Sequence, residues 1–459
     1  MTGRVRAFLV AGLGLSLAAC SQSATELSIN VTAGQETDAF TATPPVATVK
    51  VEVTSLDGTV DLSVLKAPGE SFDLGTVGND AQITVAVTGT DASGNVVMKG
   101  QTLSGIALDA VSGGIPVFAQ RVDSWARPPG NLTGGHLNGA GAVFSERYLV
   151  LSGGSASSKI DPTSADAYDL GVLGQAGLSS FPITPATMVS LGATVLLVGD
   201  AGQGAAYIDS DGNTTTVTTL PDNLTSFDDV AGGQTVVATD KTYVVGATRG
   251  QASATVLEVD DDGSLVAFTL AHPRTGAAAT FITDVGLVVV GGSADGAGVE
   301  LLRTDATSFG VTGFAPDPTV GAGAATDGTG GVLLIGGLLP DGSAQHTRRL
   351  DPSCVATTTS CAAAAIAGAD LPVALTGVVA YSLGAGRTIA IGSEATGMGM
   401  TRSFIIDVSG GSAVVTEVPL REPRRGATPV PAPNGSLALL GGVKADGSPA
   451  LSVEMFFPR

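Results

Sequence analysis

From Thr48 onward the chain alternates, with Val49, Val51 and Val53 falling on one side of an extended backbone and Lys50, Glu52 and Thr54 on the other. Period-two alternation predicts a strand with one buried face. Ile83, Val85 and Val87 repeat it, and the turn-forming stretch 91–94 precedes another apolar run at Val96, Val97 and Met98. Residues 47–115 are therefore expected to form a small β-sandwich. Residues 20–46 are rich in Ser, Thr and Pro toward both ends and carry little periodicity, so they are expected to act as a polar tether leading into that domain.

Beyond Pro116 the regularity moves to a longer scale. Apolar runs that end in glycine recur seven times, at 148–153, 195–199, 243–246, 287–291, 332–336, 389–392 and 437–441. Successive terminal glycines are 46, 47, 45, 45, 56 and 49 residues apart. A period near 48 suits four short strands with their turns, the unit of a propeller blade. The longest interval, from Gly336 to Gly392, contains Cys354 and Cys361, so an insertion of about ten residues closed by a disulfide is expected there. The third strand of several units is expected to end near an Asp, as at Asp169, Asp209, Asp260, Asp351 and Asp407. The last unit stops at Phe456 and Phe457, leaving no room for a fourth strand. An uncovered edge invites pairing with other chains, so residues 117–122 are expected to pair with 451–457 and close the ring.

Four units carry a double glycine: Gly153 and Gly154, Gly291 and Gly292, Gly336 and Gly337, and Gly441 and Gly442. On these residues the stretch 116–459 resembles kelch repeats, whose blades have a diglycine ending the second strand. The resemblance implies a seven-bladed β-propeller. It is a degenerate one, because Tyr168 approximates the tyrosine expected after the glycines, the accompanying tryptophan is missing, and three units keep a single glycine. The stretch 47–115 is similar to immunoglobulin-like or fibronectin-like modules at the level of pattern, without the tryptophan and cysteines of true immunoglobulin domains. The expected fold class is all-β, a kelch-like propeller preceded by a small sandwich.

The first twenty residues change where such a protein is expected to work. Arg4 and Arg6 precede an apolar stretch over 7–19 that is too short to span a bilayer as a helix. Leu17, Ala18, Ala19 and Cys20 resemble the bacterial lipobox, which implies removal of residues 1–19 and lipidation of Cys20. Ser21 after the cysteine is compatible with sorting to an outer membrane in a Gram-negative host. An exported chain meets oxidising conditions, which favours a disulfide between Cys354 and Cys361.

Composition narrows the partners. A net charge of -20 argues against a phosphate backbone as ligand. Aromatic residues make up only 4% of the chain, which weakens a glycan-binding reading because sugars favour aromatic platforms. Asp209, Asp211 and Asn213, and likewise Asp260, Asp261 and Asp262, could offer oxygens to calcium, yet their position before a glycine or around one favours hairpin turns.

Only three histidines occur: His136, His272 and His346. The unit order puts them, with Trp125, Arg127, Arg274, Arg424 and Arg425, on loops sharing one rim, the candidate binding face. Structural turns built by the Pro-Arg pairs are the competing explanation. Galactose-oxidase-like kelch enzymes need two histidines, two tyrosines and a cysteine around copper, whereas here each cysteine has another expected use. Sialidase-type Asp boxes are absent from the sequence. The expectation is a membrane-anchored, non-catalytic envelope lipoprotein that needs no cofactor and binds a protein partner. A glycan-binding propeller, a degenerate kelch-type enzyme and a purely structural envelope role are the alternatives.

Overall fold

The computed structural model describes residues 24–459 apart from 69, 71, 79–81, 108–113, 155–160, 293–297, 352–359, 362 and 411. Cys20 and Cys354 lie outside the described residues, so the expected lipidation and disulfide fall beyond it.

The amino-terminal domain is one strongly curled sheet. Its strands run in the order Val60–Lys66, Thr48–Ser55, Gln82–Thr90, Val96–Gln101, Ile115–Arg121, Ala24–Thr32 and Phe72–Gly78, with Ile106–Ala107 added beside Gln82–Thr90. The alternation seen in sequence becomes its core: Val49, Val51, Val53, Ile83, Val85 and Val87 are all buried, together with Met98, Ile115 and Val117. Each such side chain contributes about 1.5–3 kcal/mol by leaving water.

The domain is larger than expected at both ends. Ala24–Thr32 lies within the stretch expected to be tether, yet it is a strand, parallel to Ile115–Arg121 and antiparallel to Phe72–Gly78. Its Ile29 is buried between exposed Ser28 and Asn30. Here burial of alternate residues prevails over a composition that suggests a linker.

The remaining chain forms seven four-stranded antiparallel sheets, the blades of a seven-bladed propeller. Blade 1 runs Ala140–Phe144, Tyr148–Ser152, Ala165–Asp169 and Gly174–Ala176 from the axis outward, and blades 2 to 6 repeat this order. All seven glycine-ended runs are second strands. Neighbouring blades pack through them: Val288 and Val290 of blade 4 meet Ala324 and Leu334 of blade 5, and Leu149 and Leu151 of blade 1 meet Ala438, Leu440 and Met455 of blade 7. Asp-Gly segments are turns. Asp209 Oδ1 accepts from the backbone N–H of Asp211 and Asn213, and Asp262 caps Ser264.

The ring closes differently from the expectation. Blade 7 takes Thr428–Pro431, Leu437–Leu440 and Glu454–Phe456 from the carboxyl end, and its outermost strand is Trp125–Ala126. Trp125 pairs with Phe456 and Ala126 with Met455. Residues 117–121 cannot serve, because Ile115–Arg121 is already paired on both sides within the amino-terminal sheet. Side chains reach across instead: Gln120 Nε2 donates to the Met455 carbonyl at 2.7 Å, and Phe118 joins the buried cluster that contains Val453, Met455 and Phe457.

The long fifth unit places its extra residues between the third and fourth strands of blade 5, Arg348–Leu350 and Ala364–Ala365. Within them Ser360–Cys361 pairs with Gly313–Phe314.

Candidate binding rim and central channel

The residues expected to form an exposed rim are mostly interior. Trp125, His136, Arg274 and Arg424 have no exposed surface. Trp125 packs against Phe456 with ring centroids 5.6 Å apart and donates from Nε1 to Ser403 Oγ at 2.8 Å, joining blade 7 to blade 6. Arg127 is a domain clamp, its Nε 2.9 Å from Glu36 of the amino-terminal domain. Arg425 is half-buried and exchanges backbone hydrogen bonds with Val443. His272 lies on a strand of blade 3, and His346 is exposed beside Asp370 in blade 5. The histidines therefore do not converge, and no group of three or more His, Cys, Asp or Glu suited to a metal occurs among the described residues.

Three of these buried side chains occupy one equivalent position. His136, Arg274 and Arg424 each lie 17 residues before the first glycine of a diglycine and donate to its carbonyl. Those bonds run from His136 Nδ1 to Gly153 at 3.0 Å, from Arg274 Nη1 to Gly291 at 2.8 Å and from Arg424 Nη1 to Gly441 at 3.2 Å. Each also meets a carboxylate on the third strand of its blade, at 2.8 Å from Asp166, Glu300 and Glu454 respectively. Both ring nitrogens of His136 thus face oxygen atoms.

In blade 5, the fourth diglycine unit, the polarity is reversed. Arg348 sits on the third strand and reaches Asp317 on the inter-blade loop at 2.7 Å. In the single-glycine blades 2, 3 and 6 the corresponding positions hold Pro182, Asp229 and Leu375.

Electrostatics follow from this packing. Burial pushes the Asp166 carboxyl up, and the hydrogen bonds from His136 and Thr133 overcome that, leaving it below the ordinary range. Burial raises Glu454, against the pull of Arg424 and of the backbone N–H groups of Glu422 and Arg421. Such side chains are committed to the fold, since removing one partner leaves the other buried and unpaired. The sequence signal that could have revealed this was the shared 17-residue spacing from His136, Arg274 and Arg424 to the diglycine that follows each.

The channel along the propeller axis opens among the first residues of the inner strands. Its roughly 290 Å³ is lined by Gly139, Gly141, Thr187, Gly233, Gly321 and Thr428, among others. Backbone and small side chains dominate because seven inner strands crowd there: a Cβ on Gly141 would lie 2.7 Å from Val430 Cγ2. Among the lining side chains the one ionisable group is Tyr381, whose phenol burial pushes up.

The loops between second and third strands, and those between blades, project on the same rim as this opening. On blades 5 and 6 that rim exposes Val320 and Met398, the latter 56% exposed, and carries the His346–Asp370 pair at 2.9 Å. Sequence reasoning placed His346 on this face and missed Val320 and Met398, because no spacing distinguishes an exposed apolar loop residue from a buried one.

The propeller and amino-terminal domain are bonded directly. Gln35 N–H donates to the Arg127 carbonyl at 2.9 Å, and Lys99 Nζ donates to the Pro458 carbonyl at 3.0 Å. Burial raises the Glu36 carboxyl, and Arg127 more than offsets this, so Glu36 stays ionised to lower pH than usual.

No protein-family model matches the chain, and no curated protein matches it by sequence. Among solved structures it is similar to a fungal alcohol oxidase of the AA5 family in complex with copper, at 10% identity and a TM-score of 0.40, covering 83% of this chain and 91% of that one. It is also similar to the calcium-binding protein regucalcin from Agrobacterium tumefaciens, at 12% identity and a TM-score of 0.35, covering 71% and 94% of the two chains. YCF48 from Cyanidioschyzon merolae matches at 11% identity and a TM-score of 0.44, over 73% and 99%. At such distances the copper and calcium of those proteins say nothing about this one.

Proposed function

We propose that the chain is a non-catalytic bacterial envelope lipoprotein, anchored to the outer membrane through Cys20, whose kelch-like propeller binds a protein partner. The observation that carries the non-catalytic part is the use already made of these polar side chains: His136, Arg274 and Arg424 are held in buried pairs beneath diglycine turns. The channel wall is built mainly of glycine, alanine and threonine, with Met188, Gln234 and Tyr381 among its larger residues and Tyr381 its one ionisable group. General acid–base chemistry needs a titratable group within reach of a bound substrate. The leader over 1–19 and the lipobox-like residues before Cys20 support the anchor, and the oxidising compartment this implies supports a disulfide between Cys354 and Cys361.

The propeller rim on blades 5 and 6 is the binding surface in this reading, with Val320 and Met398 as apolar contacts and His346 and Asp370 as polar ones. Crosslinking in intact cells tests it with Val320→Glu and Met398→Glu variants. Loss of a saturable crosslinked species in both supports the rim. An unchanged pattern in both removes it, and the absence of any saturable species leaves the structural role as the better description.

A further inference from the structure

The strand Ala24–Thr32 alters what a lipid on Cys20 would do. Four Cα steps separate Cys20 from Ala24, so the two lie no more than about 14 Å apart even if fully extended. The expected tether of residues 21–46 would have allowed roughly 90 Å. Ala24 pairs with Gly78, at one end of the curled sheet. The same end holds Ser55, Val60, Gln82, Ile106 and Gln101, as the strand registers require. The hairpin joining Thr48–Ser55 to Val60–Lys66 therefore projects from the same end of the sheet as the start of Ala24–Thr32.

That hairpin exposes large apolar side chains. Leu56 is 60% and Val60 54% exposed, and Leu56 lies over Gly105. A cavity of about 560 Å³ continues from Gly105 and Ile106 to exposed Val172 of blade 1.

We infer that this end of the molecule, centred on Leu56 and Val60, rests in the headgroup layer of the bilayer that holds the Cys20 lipid. The inference depends on the proposed acylation. A bilayer's polar layer is about 5–8 Å deep on each side, and the short spacer cannot lift the sheet end far beyond it. Apolar side chains at a water–lipid boundary lose less by burial there than by exposure. Asp57 and Asp61 flank the two residues and are exposed, which fits lipids with few anionic headgroups. One orientation follows for the propeller. Asn434, on a hairpin of blade 7 between its first and second strands, donates to Gln101 at the membrane end, while Gln35 at the opposite end bonds the chain leading into blade 1. The hairpin rim then faces the bilayer and the diglycine rim faces away from it.

Acylated full-length protein is reconstituted into vesicles of phosphatidylethanolamine and phosphatidylcholine, with and without brominated acyl chains. The native Trp125, fully buried, supplies an internal reference. In Leu56→Trp and Val60→Trp variants the added indole emission is expected to be largely quenched by brominated lipid, and in Met398→Trp it is expected to be unchanged. Protein that floats with the vesicles while Leu56→Trp and Val60→Trp remain unquenched would overturn the membrane contact and leave acylation standing. A mature amino-terminal peptide of unacylated mass, with loss of flotation, would overturn the acylation and the contact together.

Discussion

Trp125 Nε1 donates to Ser403 Oγ across 278 positions of sequence, and Ser403 Oγ donates onward to the Val418 carbonyl. The outermost strand of the seventh blade is thereby fixed to the sixth blade. Burial of the indole against Phe456 makes Trp125 the latch of the ring. Trp125→Ala should cost about 3–5 kcal/mol, as expected for removing a large core side chain. Trp125→Phe should recover much of this, losing the single hydrogen bond at about 1 kcal/mol. Equilibrium denaturation of both variants checks the order; equal losses would mean that the ring is not latched by packing here.

Arg274 and Arg425 differ sharply despite both having been expected on one exposed face. Arg274→Ala leaves Glu300 fully buried and the Gly291 carbonyl without that donor, so a loss of about 3–5 kcal/mol is expected. Arg425 is half-buried and bonded through its backbone, so Arg425→Ala should change stability by no more than about 0.5 kcal/mol. Thermal unfolding of the two variants side by side makes the comparison.

The His136–Asp166 pair predicts an acid-sensitive first blade. Asp166 titrates below its ordinary value in the folded state. Its contribution is therefore complete above the unfolded value of about 3.9 and is lost as pH falls through the lower folded value. Wild type should lose stability across that window, whereas Asp166→Asn should start less stable at neutral pH and fall less steeply in acid. Parallel slopes for the two proteins between pH 5 and pH 2, on the order of that titration range, would refute the assignment.

Glycine at the first position of a diglycine is required twice over. Gly153 has φ +72°, and a Cβ there would overlap the Pro185 carbonyl oxygen of blade 2. Gly212 has φ +81° but open space around it. Gly212→Ala should therefore lose only the left-handed backbone preference, about 1–2 kcal/mol, and Gly153→Ala distinctly more. Chemical denaturation of both variants separates conformational strain from steric exclusion.

Much of the architecture could be read from residues because repetition is local. Val195, Leu287 and Val332 each begin or continue an apolar run whose terminal glycine recurs at nearly constant spacing, and one blade needs little more than its own residues to be recognised. The closing strand was misplaced by a few residues. Residues 117–122 and Trp125–Ala126 are both apolar, and pairing partners from opposite ends of the chain leave no periodic mark. Ala24–Thr32 was hidden for a related reason: its neighbours, Ile115–Arg121 and Phe72–Gly78, are distant in sequence.

An all-β chain, seven equivalent units after a separate amino-terminal domain, and hairpins turned by Asp-Gly segments could all be read from the residues alone. Those properties depend on side-chain period and backbone freedom, which neighbouring residues carry. The burial of His136, Arg274 and Arg424 beneath diglycine carbonyls, the clamp that Arg127 makes between two domains, and the exposure of Leu56 and Val60 emerge from the folded chain. Charge and hydrophobicity are written in the residue, but burial is a property of what the rest of the chain brings against it.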